Sequence, residues 1–206
     1  MSLLVYGNAK LGAISNFALP AKHTCPGQNK FCDKYCYGVK NWYRAAHVKK
    51  ALDDKFSATI RPDFTEAMTK EIEHGKPKVV RIHTVGDFYN EEYIRKWSII
   101  IDSCPTTQFY GYTRAWRVPI LRDRLESLIL THSNIVLRAS VDFTHQDRPD
   151  GWRLFSVVDG EGIHCPHDLG KVAYCRDCGI CWTEQQAVFI RVRWAKLWQN
   201  FSEELL

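Results

Sequence analysis

The sequence lacks the patterns that mark membrane and secreted proteins. Its longest apolar runs fall far short of the roughly 20 residues that a membrane-spanning helix needs. The first residues, MSLLVYGNAK, do not combine a basic stretch with a long apolar one, so we expect no secretory signal. We therefore expect a cytoplasmic protein that has no membrane partner.

Internal repeats, low-complexity segments and linkers rich in glycine or serine are also absent. The length of 206 residues and an apolar share of 45% fit one globular domain with a small appendix. The net charge of +5 is low for this size, and we interpret the basic residues as spread along the chain. This charge permits a nucleic-acid or anionic small-molecule substrate without requiring one.

Cysteine is present in an uneven distribution. Seven of the eight cysteines lie in two short segments, Cys25, Cys32 and Cys36 in the first and Cys165, Cys175, Cys178 and Cys181 in the second. Thiols stay reduced in the cytoplasm, where clustered cysteines usually bind metal rather than form disulfides. The eighth, Cys104, precedes a proline at a predicted helix end, and we interpret it as a buried apolar side chain.

Short β-like runs alternate with helical stretches along the chain. The predicted strands are 13–19, 78–84, 107–113, 134–140 and 154–158, with 187–192 as a sixth strand or the start of a C-terminal helix, and the predicted helices are 41–55, 62–74, 91–103 and 119–131. This alternation predicts an α/β protein with parallel strands. Five or six strands are too few for a closed barrel. We therefore expect a partial, open β/α barrel over residues 1–160 and a cysteine-rich extension, residues 161–206, packed on it.

Functional side chains of such folds lie at the carboxyl ends of the strands. The residues that follow or end the predicted strands here are polar and specific, namely Gly86, Asp87, Phe88, Arg114, Arg138, Ser140 and Asp142. We expect them to face one mouth of the barrel and to bind a cofactor. Within the second strand, Arg81 and His83 alternate with apolar residues, so we expect both on one face.

Each of these residues also has a structural interpretation. Asp87 either orients a ligand amine or hydroxyl, or caps the helix that follows. Arg114 and Arg138 bind a carboxylate or phosphate in a bidentate manner, or form structural ion pairs. Asp142, near Ser140, contacts ribose hydroxyls or serves as a turn residue. The sequence leaves these alternatives open.

The first cysteine group has the spacing C-x6-C-x3-C, in the loop after the first predicted strand. Three thiolates leave one iron of a 4Fe-4S cluster without a protein ligand, and a substrate or cofactor binds at such an open position. The alternative is a zinc site, completed by His23 or by a cysteine of the second group.

A strand followed by a three-cysteine loop and βα repeats resembles the radical S-adenosylmethionine fold, although that superfamily uses C-x3-C-x2-C. Gly86, Asp87 and Phe88 occupy the place of its glycine-rich turn, which contacts the methionine amino group. The resemblance implies an open 4Fe-4S cluster, bound S-adenosylmethionine, an electron donor as partner and hydrogen abstraction by a 5′-deoxyadenosyl radical. Cofactors supply this chemistry, and the protein positions them.

The phrases ISNFALPAKHTCPG, CDKYCYG, RIHTVGDFYNEEYIRKW and YGYTR resemble a family of phage and plasmid proteins known as gene product 88. That family carries no settled activity, so the resemblance implies a phage-type protein, made in a bacterial host, and no particular reaction.

The second group contains the compact spacing C-x2-C-x2-C, with Cys165 upstream of Cys175 and nine residues between them. Four thiolates make a closed site, which is structural or transfers electrons. Both a second 4Fe-4S cluster and zinc satisfy this donor set, with His164 or His167 as substitute ligands. One cluster that draws ligands from both ends of the chain is a further alternative.

Three functions therefore remain open. The first is an iron–sulfur enzyme of the radical S-adenosylmethionine type, the second a non-catalytic iron–sulfur protein for redox transfer or regulation, and the third a zinc-stabilised nucleic-acid-binding module. Metal content separates the third from the others, and S-adenosylmethionine binding separates the first from the second.

Overall fold

A computed structural model of the chain describes residues 2–142, 148–157 and 162–190. Its centre is one eight-stranded sheet in the order β1-β2-β3-β4-β5-β6-β8-β7. The strands are β1 Val5–Asn8, β2 Gly12–Asn16, β3 Val79–Ile82, β4 Gln108–Thr113, β5 Ile135–Val141, β6 Arg153–Ser156, β7 Ile163–His164 and β8 Val188–Phe189. Only the β1–β2 pair is antiparallel, and every other neighbouring pair is parallel.

The helices are α1 Lys30–Tyr35, α2 Ala46–Ile60, α3 Phe64–Gly75, α4 Glu91–Ser103, α5 Pro119–Thr131, α6 Cys175–Cys178 and α7 Ile180–Thr183. Helix α4 begins where Asn90 accepts a hydrogen bond from the backbone N–H of Tyr93, as an N-cap does. Helix α5 begins at Pro119, a residue suited to the first helical position.

The two faces of the sheet have different covers. Side chains of α3, α4 and α5, such as Met68, Trp97 and Leu125, form the main hydrophobic core with Val80 and Ile82 of β3. On the opposite face, a smaller cluster joins Tyr110 and Val136 to Trp182 of the C-terminal cysteine segment. A barrel would enclose this second face as its interior, whereas here α6 and α7 lie against it.

The alternation of strands and helices, the α/β class and the parallel pairing are confirmed. Helices α4 and α5 have the predicted bounds, and Cys104 is buried. The region predicted as an extension, 161–206, contributes β7 and β8 to the same sheet. The predicted strand 154–158 ends at residue 158, which lies outside the described residues. Residue 190 is the last residue of the predicted strand 187–192 that the structure describes.

Some predicted bounds were wrong. Residues 41–55 do not form one helix, because a 3-10 turn at Asn41–Arg44 precedes α2. Strand β3 ends at Ile82 because His83 adopts φ 56°, a left-handed conformation that no strand continues. This turn also places His83 in the helix-side core against Phe88 and Trp97, so Arg81 and His83 do not share a face.

Candidate metal centres

The first cysteine loop ends in helix α1, which carries Cys32. The side chain of Asn29 caps this helix by accepting a hydrogen bond from the N–H of Cys32 at 3.1 Å. The amide nitrogen of Asn29 donates to Asp142 Oδ2 at 2.9 Å, at the carboxyl end of β5. Arg114, at the end of β4, forms an ion pair with the same carboxylate. One carboxylate thus ties the cysteine loop to two strand ends.

Glycines allow this loop to lie directly against the sheet. A Cβ atom at Gly27 would lie 1.8 Å from the carbonyl oxygen of Arg114, and one at Gly38 would lie 2.1 Å from Cγ2 of Val85. Gly86 has φ +83°, and a Cβ there would meet Leu19 at 2.6 Å. These contacts admit no side chain, so the loop is fixed against the ends of β3 and β4.

Asp87 braces the end of β4 from the turn after β3. Its carboxylate accepts hydrogen bonds from Thr113 Oγ1 at 2.6 Å, from the N–H of Arg114 at 2.7 Å and from the N–H of Phe88 at 2.8 Å. Burial raises the pKa of this carboxyl to about 6, against the lowering effect of its hydrogen bonds. The predicted alternative of a helix cap for Asp87 is wrong, because Asn90 caps α4.

The thiols of the first group influence one another electrostatically. Burial, then the Asp87 carboxylate, raises the pKa of Cys25 to about 12, and Cys36 and Cys32 also raise it. Burial likewise raises the pKa of Cys32, while the nearby guanidinium of Arg114 lowers it. Cys25, Cys32 and Cys36 therefore lie in one electrostatic neighbourhood with Asp87 and Arg114, at the carboxyl edge of the sheet.

The second cysteine group surrounds a small cavity. Cys165, Cys175, Cys178 and Cys181 all line a space of about 10 Å³ between β8 and helices α6 and α7. A space of this size corresponds to about one water-sized sphere. Burial raises the pKa of Cys175 to about 11, and the charges of Cys181 and Cys165 also raise it. A larger groove, about 360 Å³, lies between α4 and α5, away from both cysteine groups.

Arg138 holds the second cysteine segment on the sheet. It is fully buried, and its five N–H groups donate to five backbone carbonyls, those of Leu154, Ile180, Cys181, Glu184 and Gln186. Five is the full donor capacity of a guanidinium. The predicted structural alternative for Arg138, an ion pair, is replaced by this carbonyl cage, which leaves no donor for an anionic ligand.

Tyr112 contacts Cys181 from the sheet, and Arg81 lies next to Tyr112. The hydroxyl of Tyr112 donates to the sulfur at 2.7 Å, and Arg81 stacks on the Tyr112 ring with its guanidinium carbon 4.8 Å from the ring centroid. Burial raises the pKa of Cys181, whereas the Tyr112 hydrogen bond and the positive charges of Arg138 and Arg81 lower it. The hydroxyl and the two cations therefore offset part of the burial effect, which disfavours the thiolate form that binds metal.

Both groups contain the thiols that bind metal, but their side chains are not arranged as in a formed metal site. Among the described residues, no three histidine, cysteine, aspartate or glutamate side chains converge as metal ligands do. All cysteines described are free thiols. A bound metal would therefore require the thiols of each group to turn toward a common point, which changes side-chain rotamers and leaves the fold intact.

The predicted cofactor-binding residues fall into two sets. Asp87, Arg114 and Asp142 lie together beside the first cysteine loop. The others do not join them: Gly86 packs its backbone on Leu19, Phe88 is fully buried in the helix-side core, Ser140 accepts a hydrogen bond from Trp116 Nε1 with its carbonyl, and Arg138 is caged by carbonyls. For Phe88, cofactor contact is contradicted by its burial.

Sequence reasoning named Arg81 for its place in the second strand but missed its role here, and it missed the roles of Asn29 and Tyr112. Asn29 and Tyr112 hold Cys32 and Cys181 respectively, and Arg81 lies beside the second group. Asn29 precedes a short helix, and an asparagine there is a helix-start signal that the sequence offered. The roles of Tyr112 and Arg81 arise from long-range contacts, which no local pattern indicates.

Comparison with known proteins places the chain in a family. A family model described as Gene product 88 matches residues 3–162. The Gene 88 protein of Mycobacterium phage L5 is 30% identical over 204 residues, which cover 85% of each chain. The Gene 88 protein of Mycobacterium phage D29 is 29% identical over 223 residues, with 88% of each chain covered. No solved structure matches. The resemblance to gene product 88 is confirmed, and this chain belongs to the gene product 88 family.

Proposed function

We propose that this protein is an iron–sulfur protein that holds a 4Fe-4S cluster on Cys25, Cys32 and Cys36 and binds S-adenosylmethionine beside it, in the manner of radical enzymes. One observation carries the proposal. The three-cysteine loop lies against the carboxyl ends of three successive parallel strands, through Asp87, Arg114 and Asp142. This edge is where α/β folds bind cofactors.

The residues at this edge offer complementary groups to an amino acid cofactor. Only Nη1 of Arg114 takes part in the ion pair with Asp142, so we assign its other N–H groups to the ligand carboxylate. The Asp142 carboxylate, whose side chain is fully buried, holds Arg114 and Asn29 in position. Asp87 acts as a positioning residue, because its oxygens are already used to hold the end of β4.

When bound, a reduced cluster with an open iron supplies an electron for cleavage of the sulfonium. The protein itself contributes orientation and exclusion of water. The loop does so through its glycine contacts, and Phe31 covers Arg114 with its ring centroid 5.4 Å from the guanidinium carbon.

Anaerobic purification tests this proposal. We expect about four irons and four sulfides per first centre, and a paramagnetic resonance spectrum of the reduced protein that shifts when S-adenosylmethionine is added. Cys32→Ala should lose this iron, whereas Cys104→Ala, a buried cysteine remote from both groups, should keep it. Absence of iron in protein purified without air would overturn the proposal.

For the second group we propose a single zinc ion. The cavity that its four cysteines line, about 10 Å³, has room for one ion, and four thiolates are a donor set that zinc accepts. Metal analysis of the Cys32→Ala variant tests this assignment, because that variant should retain one zinc and no iron. Residual iron and sulfide in place of zinc would contradict it.

A non-catalytic redox or regulatory role is the second candidate. It is favoured because helix α7 packs on the sheet face that would line the interior of a barrel. Tyr110 packs on Trp182 with ring centroids 4.8 Å apart, so helix α7 occupies space in which radical enzymes of the barrel type would hold substrate. Iron without any spectral shift on addition of S-adenosylmethionine would favour this role over catalysis.

A further inference from the structure

We infer that residues 30–50 form a binding surface for single-stranded nucleic acid. The first observation is the distribution of charge. The chain has 28 basic and 23 acidic residues. This segment contains six of the basic residues and one of the acidic residues, so the rest of the chain contains 22 of each. The whole net charge of +5 therefore lies in 21 residues, although 22 of the 28 basic residues are spread along the rest of the chain.

The cations of this segment all reach solvent. The six are Lys30, Lys34, Lys40, Arg44, Lys49 and Lys50, each with an exposed side chain. Lys50 is paired with Asp54, at 2.7 Å, and the single acidic residue, Asp33, is paired with Lys22 from outside the segment. A dense and exposed positive charge attracts a polyanion such as a phosphate backbone.

Aromatic rings lie between these cations. Trp42 is 67% exposed, and its ring meets that of His47 edge to face at 5.2 Å. Tyr37 is 56% exposed, while its hydroxyl points inward and donates to the carbonyl oxygen of Thr84. Exposed rings among basic side chains are the arrangement on which unpaired bases stack. Such large apolar exposure is costly for a surface with no partner.

The surface is anchored and not a loose loop. Lys40 Nζ donates to the carbonyl of Lys34 at 2.7 Å, and both ammonium groups lie within 6 Å of the Tyr35 ring, at 5.9 and 5.7 Å. Tyr37 and Tyr43 lie 6.0 Å apart by ring centroids. Anchored side chains lose less entropy when a ligand binds, which increases affinity.

Its position adjoins the first cysteine group, since Cys32 and Cys36 lie within the same segment. Gly38 contacts Val85, just after β3, so the surface begins at the carboxyl edge where the candidate centre lies. A strand bound along residues 37–50 would pass beside that edge. The inference stands on charge and exposure alone and does not depend on metal at the cysteines.

A lipid surface is less compatible with these features than a nucleic acid is. Membrane-binding helices present a continuous apolar face beside the basic one. The exposed residues of α2 instead include His47, Lys49, Lys50 and Asp53, and its buried ones are only Leu52, Lys55 and Thr59. The two exposed rings of Trp42 and Tyr37 among basic side chains fit stacked bases better.

Fluorescence anisotropy with a labelled oligothymidylate of about 16 nucleotides tests the inference. We expect binding that weakens as salt rises. Trp42→Ala should weaken it at least about fivefold, because a stacking ring is lost. The double variant Arg44→Gln, Lys49→Gln should make the slope of log K against log salt shallower by about 1.4.

Matched controls separate these effects from general damage. Tyr6→Ala removes an aromatic side chain that is 77% exposed on β1, and Lys78→Gln with Lys171→Gln removes two exposed charges elsewhere. Both should bind as the unchanged protein does. Trp42→Phe should retain most of the affinity. No binding at low salt, equal losses in the controls, or binding to anionic vesicles without binding to the oligonucleotide would overturn the inference.

Discussion

At the scale of residues, Arg138 shows how one side chain can organise a segment that has little core of its own. Helix α7 spans only Ile180–Thr183, and of its carbonyls that of Ile180 accepts from the N–H of Glu184, so most of the others rely on partners outside the helix. Arg138 rises from β5 and donates to the carbonyls of Ile180, Cys181 and Glu184, among others. A cation at the C-terminal end of a helix also opposes the helix dipole favourably.

We predict that Arg138→Gln lowers the free energy of unfolding by about 3–5 kcal/mol. An amide has two N–H donors, so at least three of the five partly buried carbonyls would lose their hydrogen bond to this side chain. Urea denaturation measures this, with Arg124→Gln as the control. Arg124 is an exposed residue paired with Glu91, and its replacement should cost about 0.5 kcal/mol or less. Equal effects in both variants would contradict the cage.

His83 is a second residue whose surroundings determine its chemistry. Burial, together with the positive charge of Arg81, lowers the pKa of His83 to about 3. Its Nε2 lies 2.8 Å from the hydroxyl of Tyr93, and apolar rings surround it. The folded state therefore keeps the imidazole neutral at pH values where the unfolded chain, with a pKa near 6.5, takes up a proton.

It follows that His83 stabilises the fold above about pH 6.5 and that this contribution declines as the pH falls toward 3. Between pH 7 and pH 5 we expect it to remove about 2 kcal/mol from the free energy of unfolding. His83→Asn tolerates the positive φ and lacks the titration, so it should lose about 2 kcal/mol less over that interval. His47→Asn, at an exposed histidine, should behave like the unchanged protein. An equal pH dependence in all three would show that His83 does not contribute.

At the scale of elements, the docking of the first cysteine loop depends on close backbone approach. Gly27 lies against the carbonyl oxygen of Arg114, at the end of β4. Both contacting groups belong to the backbone, so neither can move aside without a substantial cost in free energy. The loop, helix α1 and the ends of β4 and β5 therefore hold one another in place, with Asn29 and Asp142 as the second link.

We predict that Gly27→Ala destabilises the protein by about 2 kcal/mol or more, because the added Cβ would overlap the Arg114 carbonyl. Cleavage within residues 20–38 in limited proteolysis should increase as the loop is displaced. Gly75→Ala is the matched control, since its Cβ would meet only Pro77, at 3.8 Å. That variant should be neutral or slightly stabilised at the end of α3. Intact proteolytic resistance in Gly27→Ala would refute this account of the docking.

The elements that sequence reasoning predicted well are those with strong local signals. Helices α4 and α5 have apolar residues at helical spacing and a start marked by Asn90 or Pro119. Strands β1 and β7 were missed, because β1 is exposed at the sheet edge and β7 has two residues. The left-handed turn at His83 was not predicted either, because positive φ is uncommon for any residue other than glycine and tertiary packing selects it here.

At the scale of the whole molecule, the two cysteine groups occupy different places on one sheet. The first lies at the carboxyl edge, and the second lies on the face opposite α3, α4 and α5. The clustering of cysteines predicted two groups, whereas their places depend on pairings between residues more than 100 positions apart.

No helix among the described residues is long and apolar enough to cross a membrane.

The separation of the two groups leads to a prediction about metal content. Cys175→Ser combined with Cys178→Ser removes two of the four thiols around the second cavity and leaves the first group intact. We expect this variant to lose zinc and retain iron, because Cys25 interacts with Cys32 and Cys36. It should also expose the Tyr110 and Trp182 contact, which changes tryptophan fluorescence.

The reciprocal variant, Cys32→Ala, should lose iron and retain zinc, with unchanged fluorescence from Trp182. Independent loss follows from the structure because Arg138 and Tyr112 hold the second segment without help from the first loop. Simultaneous loss of both metals in both variants would instead indicate one centre that draws thiolates from both ends of the chain. Zinc binding to four thiolates contributes directly to folding. The double variant Cys175→Ser, Cys178→Ser should therefore unfold at a lower denaturant concentration than Cys32→Ala.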